Sequence, residues 1–213
     1  MRSLVAAIAL VASMSAARAE VIALVPMVPP KDRPRAEAIS DEDVAFVRQA
    51  LTLFYGVEVR LLPSVTLPAA AWYPPRRRWR AEKLLDALAA ARPADARFVL
   101  GLTAADISTT KGTIVDWGVM GLGSIDGTAG VISSFRSRKG ARDARHARER
   151  LGKVAVHELG HVLGLEHCPT RGCLMEDAEG KVATTDREHD LCPRCRALLR
   201  ARGRPLPDVT PPW

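Results

Sequence analysis

The segment His157-Glu-Leu-Gly-His161-Val-Leu-Gly164-Leu-Glu-His167 sets three imidazoles, a carboxylate and a glycine within eleven residues. On an α-helix, residues four apart lie about 40° from overlap and one turn along the axis, so His157 and His161 can offer their rings to one ion. Glu158 is turned about 100° from His157, too far round for a natural third ligand and well placed beside a water on the ion, which suits a general base. Gly164 can adopt positive φ, stop the helix and fold the chain back, so that His167 supplies the third ligand from a loop. Three protein ligands leave a tetrahedral Zn²⁺ one position for water, the arrangement of a hydrolytic site rather than a structural one. The expected chemistry is attack of that water on a scissile carbonyl, Glu158 taking its proton and passing it to the leaving amine. The plain alternative is an amphipathic helix carrying H-E-x-x-H by accident; Gly164 and His167 at fixed offsets argue against it.

All four cysteines follow this motif, as Cys168-x4-Cys173 and Cys192-x2-Cys195. Two close thiol pairs separated by a loop can surround a second, structural Zn²⁺, which would tie the loop carrying His167 to the segment after Leu191. Disulfides are the competing reading, favoured by an oxidising compartment. Cys192-Pro-Arg-Cys195 also has the form of a redox dithiol, but no strand-to-helix thioredoxin context reads around it.

The histidine motif with a methionine after it, here Met175, resembles the metzincin signature. Within that clan the run His167-Cys168, Cys173, Met175 and Cys192-Pro-Arg-Cys195 resembles the archaemetzincins, across about the last third of the chain. Upstream, Phe98 to Asp106 and Gly130 to Arg136 resemble the strands that precede the active-site helix in this family. The resemblance implies a zinc metallopeptidase acting on a peptide or protein. It implies an α/β (α+β) fold: one metzincin-like domain, its twisted mixed sheet carrying an antiparallel edge strand and packed on a long active-site helix, with a small C-terminal four-cysteine zinc subregion. It makes Met175 the Met-turn, an apolar floor beneath the imidazoles, although a methionine there is also an ordinary packing residue. It puts Val131, Ile132, Ser133, Ser134 and Phe135 at the edge strand that aligns the substrate backbone by β-augmentation, the alternative being an interior strand with no ligand. The chain departs from some metzincin groups by having Asp177, not tyrosine, two residues past Met175. With tyrosine only at positions 55 and 73, that loop offers no phenol to the metal. A catalytically silent peptide-binding protein on the same scaffold is the second reading, and intact His157, Glu158, His161 and His167 weigh against it.

The elements that must position these groups follow from periodicity. Val21 to Val25 reads as a strand, and Pro26, Pro29, Pro30 and Pro34 as a loop that cannot pair in a central sheet. Ser40 to Asp43 opens a helix with Val44, Val47, Leu51 and Phe54 at helical spacing, ended by Gly56. Val57 to Leu62 (strand), Arg80 to Arg92 (helix) and Phe98 to Leu102 (strand) continue an alternation that implies parallel pairing. The glycine-rich stretch 112–130 holds a short strand at Val115 to Met120 and a turn at Ile125-Asp126-Gly127. The long helix reads as 141–164, with Leu151, Val154 and Ala155 toward the sheet. His146 lies about 16 Å before His157 on that helix and cannot share its ion. His189 reads as exposed, Pro193 to Arg202 as a terminal helix, and 204–213 as a disordered proline-rich tail.

Residues 1–19 carry Arg2, an apolar run from Leu4 through Met14, and Ala17-Arg18-Ala19. That order predicts a signal peptide removed after Ala19, an exported periplasmic or extracellular protein, and no membrane span thereafter. Residues 20–203 then form one domain, read as a monomer. The net charge of +7 falls to +5 without Arg2 and Arg18. Basic clusters at Arg76 to Arg80 and Arg136 to Arg150 could attract polyanions, but arginine is used throughout, and solvated faces are the simpler reading. No nucleic-acid partner is expected, because a zinc-ribbon-like nucleic-acid binder leaves the three histidines without a role.

Overall fold

The computed structural model describes residues 20–32 and 38–213; the expected signal segment and Pro34 lie outside the described residues. The elements in chain order are β1 (Val21–Val28), α1 (Asp41–Tyr55), β2 (Glu58–Leu61), β3 (Val65–Thr66), β4 (Trp72–Tyr73), β5 (Arg78–Arg80), α2 (Ala81–Ala90), β6 (Phe98–Thr103), β7 (Ile107–Lys111), β8 (Ile114–Val119), β9 (Gly121–Gly123), β10 (Ala129–Ser133), α3 (Ser134–Ser137), α4 (Ala144–Val162) and α5 (Pro193–Ala201).

The main sheet runs β2-β1-β6-β10-β9, with β3 continuing along β1 beyond the end of β2. Every pair is parallel except β10 with β9, so the mixed sheet and its antiparallel edge strand are present as expected. Strand alternation divides the core in two. Ile22, Leu24, Leu100 and Ile132 pack with α1 and α4 on one face, and Ala23, Val25, Val99 and Val131 pack with Leu84, Leu85 and Leu88 of α2 on the other. Burial on both faces is what a parallel sheet covered by crossover helices requires.

Three expectations are corrected. Pro26 does not end the first strand; it pairs beside Leu102. Its backbone faces the same side as Leu24, whose carbonyl takes the Leu62 amide, and β2 has ended there while β3 begins only opposite Met27. The missing N–H thus falls in a gap between partners. Val131, Ile132 and Ser133 are not the edge, because β10 is paired with β6 on one side and β9 on the other, and all three are fully buried. Ser134 and Phe135 have already left the sheet for α3. The edge belongs to β9. Nor is the tail 204–213 loose: Trp213 stacks on Phe54 at 6.2 Å and its indole N–H donates to the His189 carbonyl at 3.0 Å, with Leu206 against the same core.

A second sheet, β4-β5-β7-β8, flanks the edge strand. Much of the basic character is used in ion pairs within the fold. Arg78 reaches Asp106 and Asp116 at 2.8 and 3.0 Å, and Arg136 reaches Asp106 at 2.9 Å. Arg138 pairs with Asp43 and Arg150 with Asp186, at 2.8 and 2.7 Å. Among the described residues no helix is long and apolar enough to cross a membrane.

Candidate metal and active site

The helix that carries the motif starts three residues later than its pattern suggests, because the Asp143 carboxylate caps it by accepting the His146 amide at 2.7 Å. It stops at Val162, and Gly164 has φ 88°. The Gly164 amide donates to the His161 carbonyl and the Leu165 amide to that of Gly160, a paired helix ending that turns the chain back. His167 is carried by that turn to 4.8 Å from the His161 ring and 5.4 Å from the His157 ring.

One ligand nitrogen from each of the three histidines can be chosen so that all lie within 4.8 Å of one another. His157 Nδ1 lies 2.6 Å from the Leu174 carbonyl oxygen, and His161 Nδ1 lies 2.7 Å from that of Leu165. A carbonyl only accepts, so each Nδ1 carries the proton and each Nε2 presents a lone pair. Those two Nε2 atoms face each other at 3.0 Å. Two acceptors at that separation repel unless a cation sits between them, and ligand bonds of about 2.1 Å to tetrahedral zinc put nitrogens about 3.4 Å apart. The donor set fits the ion. Burial, and then the neighbouring His161 and His167, hold His157 down to about pH 3, and burial lowers His161 as well, so both rings are neutral and ready to ligate.

Met175 is fully buried against α4, where a Cβ on Gly160 would come within 2.5 Å of its sulfur. The residue before it supplies the carbonyl that orients His157. Glu158 is buried, and burial pushes its carboxyl up to about 8 against a hydrogen bond from the Gly123 amide. Periodicity missed how it is roofed. A Cβ on Gly121 would lie 2.5 Å from Glu158 Oε1, and one on Gly123 would lie 2.4 Å from the Glu158 main-chain oxygen. Glycine at both positions lets β9 settle directly on the helix, and paired glycines in a strand are a readable signal of such close approach. A cavity of about 370 Å³ opens over the imidazoles, bounded by Trp117, Met120, β9, Asp177 and Glu188. Asp177, at the position where some metzincins have tyrosine, places Oδ2 3.8 Å from His167 Nδ1 and 3.5 Å from Lys111 Nζ.

The four cysteines also converge, all sulfurs lying within 4.8 Å of one another. Cys168 and Cys192 are 3.6 Å apart, and Cys173 and Cys195 3.8 Å. Zinc–thiolate bonds of about 2.3 Å separate tetrahedral sulfurs by about 3.8 Å, whereas a disulfide holds them at about 2.05 Å. Amides of Thr170, Met175 and Cys192 point at these sulfurs from 3.3 to 3.5 Å. Burial raises Cys173 to about 11 and raises Cys195 further. At Cys192, hydrogen bonds from the Cys195 amide and the neighbouring thiols outweigh burial and bring it to about 6. Two thiols as reluctant as Cys173 and Cys195 ionise together only beside a cation.

Two histidines and a carboxylate on one helix, a glycine turn that brings back a third histidine, and a buried methionine after it fit the metzincin class of zinc metallopeptidases. Residues 48–201 match the family described as Peptidase family M54. The archaemetzincin of Halobacterium salinarum is 30% identical over 171 residues, covering 76% of this chain and 95% of the relative. Among solved structures, the archaemetzincin of Methanopyrus kandleri superposes with a TM-score of 0.70 at 27% identity, over 88% of this chain and 97% of that one. That of Archaeoglobus fulgidus gives 0.67 at 28%, over 83% and 98%. The chain belongs to peptidase family M54, the archaemetzincins.

Proposed function

We propose that the chain cuts peptide bonds with Glu158 as general base, on a peptide laid along the outer edge of β9. The observation that carries this is the pair of neutral imidazoles facing each other over a cavity that also holds a buried carboxylate. A zinc ion held by His157, His161 and His167 would supply an acidified water and polarise the scissile carbonyl. Glu158 takes a proton from the attacking water and hands it to the departing amine, a role suited by a carboxyl whose proton affinity is raised by burial. The outer side of β9 has no strand partner among the described residues, which supports main-chain pairing of an extended substrate there. Cys168, Cys173, Cys192 and Cys195 hold a second, structural zinc, and the protein works outside the cytoplasm once residues 1–19 are removed.

The test is a peptide-library digest by the zinc-loaded protein beginning at Glu20, beside Glu158→Gln and a chelated sample. Cleavage by the first, and a loss of about 10²–10⁴-fold in Glu158→Gln with its zinc retained, is the expected result; undiminished turnover in that variant removes Glu158 from the mechanism. Metal analysis should find two zincs per chain, and one zinc with no free thiols in chelator defeats the tetrathiolate. Met1 on protein recovered from outside the cell contradicts the processing.

A further inference from the structure

Among the carboxylates that line the cavity over the imidazoles is a buried one to which the reaction gives no task. This is Glu188, which is only 3% exposed, yet among the described residues its side chain makes no hydrogen bond and no ion pair. Its neighbours are otherwise committed. Asp186 is bound by Arg150 and His146, Arg187 is paired with Glu176, and the buried Lys153 Nζ donates to the Thr185 carbonyl at 2.8 Å. The charges around Glu188 are Lys153 from α4 and Glu176, Asp186 and Arg187 from the loop after Met175, and burial outweighs them to push its carboxyl up to about 8. Its oxygens are not sealed from the cavity, so the donor that the protein does not supply can come from there.

We infer that Glu188 is a specificity-determining residue that receives the ammonium or guanidinium of a lysine or arginine side chain beside the scissile bond. The inference rests on peptide hydrolysis at the adjoining histidine site and names the substrate class for it. The cavity suits such a side chain: Trp117, Val119, Met120 and Val154 line the walls that a long methylene stem would cross, and the acceptor stands among them. The other acids at the rim are already engaged, Asp177 with Lys111, Glu176 with Arg187 and Glu179 with Lys181. Were Glu188 only a distant counter-charge to Lys153, its loss would change stability and leave the choice of substrate as it is.

The deciding measurement is fluorescence anisotropy with the zinc-loaded Glu158→Gln protein, which holds peptides without cutting them. The probes are N-acetylated, C-amidated peptides in which each position in turn carries lysine or its uncharged near-isostere norleucine. One position should bind lysine about tenfold tighter or more, as a charge-assisted hydrogen bond predicts. The preference should fall below about twofold in Glu158→Gln/Glu188→Gln and return in part with Glu188→Asp. Equal affinity for lysine and norleucine at every position overturns the proposal, as does a lysine preference that survives Glu188→Gln. A Glu188-dependent preference confined to peptides with a free N-terminus also overturns it, since the cation would then be the α-amine. If Glu188→Gln fails to fold, the lysine–norleucine comparison in Glu158→Gln and its retention in Glu188→Asp decide alone. Turnover of the same peptides with Glu158 intact is read separately: no cleavage with the lysine preference kept sinks hydrolysis and spares the subsite.

Discussion

The imidazole triad and the thiol tetrad meet in the chain at His167 and Cys168 and are built in opposite ways. His167 is half-exposed and the triad opens on a cavity, whereas Cys168, Cys173 and Cys195 are buried and the tetrad has a sulfur on every side. Three donors with an open side suit chemistry, and four with none suit support. The two are joined through one loop. The Leu174 carbonyl that orients His157 lies on a loop whose Met175 amide points at Cys173 Sγ and whose Met175 carbonyl takes the Cys168 amide. The closed cluster is thus tied to the loop against which the open one is oriented.

That asymmetry is broken most forcefully at Cys195. Cys195→Ala leaves three thiols, so metal content should fall to one zinc or less and unfolding should ease by about 3 kcal/mol or more, with activity following. Glu158→Gln should do the reverse, losing turnover with little change in stability. A Cys195→Ala protein that kept two zincs and its unfolding midpoint would dissolve the distinction.

Acid sharpens it. In zinc-free protein the folded His157 resists protonation down to about pH 3, whereas an unfolded histidine titrates near 6.5. As the pH falls below about 6.5 the unfolded chain takes up a proton that the folded His157 refuses, so the contribution of His157 to stability drops through the window from about 6.5 to about 3. The buried carboxyls of Glu158 and Glu188, raised to about 8, pull the other way, so the effect is read against His157→Gln: in chelator, the urea midpoint of the parent protein should lose ground to that of His157→Gln between pH 7.5 and pH 5, and an equal pH response in the two proteins would count against a neutral, inward-facing His157.

Gly160→Ala tests the contact between α4 and Met175. Alanine gains about 1 kcal/mol in helix propensity, but its methyl would stand 2.5 Å from the sulfur of a fully buried Met175 that has no room to retreat. Overpacking of that kind costs about 1–3 kcal/mol, so a net loss near 1 kcal/mol is expected. Zinc should bind the triad more weakly while the tetrad stays loaded, as competition with a chromogenic chelator would report.

The ligands were legible in the sequence because their geometry is local. Four-residue helical spacing, a glycine turn and C-x2-C spacing are properties of short segments, and the structure gathers the three histidines and the four cysteines into two clusters that could each hold an ion. The misreadings concern long-range partners. Val131 to Ser133 reads correctly as strand, but whether it is an edge depends on β9, whose Gly-Leu-Gly has neither alternation nor β-propensity to announce it. The second sheet escaped notice for the same reason, its β4 and β5 being two and three residues long amid prolines and arginines. Glu188 reads as one more charge in Asp-Arg-Glu-His-Asp until folding buries it.

The tail carries the smallest expected effect and bears on the frame alone. Composition marks 204–213 as disordered, yet Trp213 stacks on Phe54 of α1 and bonds the His189 carbonyl, in the segment that leads to Cys192. An aromatic pair of this kind contributes about 0.5–1.5 kcal/mol and its hydrogen bond about 1 kcal/mol more, partly offset by the freedom the chain end regains. Trp213→Ala should thus ease unfolding by about 1 kcal/mol while zinc content, kcat and KM hold, because nothing in the contact reaches the cavity. Its own fluorescence gives a second reading: emission at longer wavelength than expected for a half-buried indole, with no stability change on substitution, would mean that the tail lies free and the frame ends at α5.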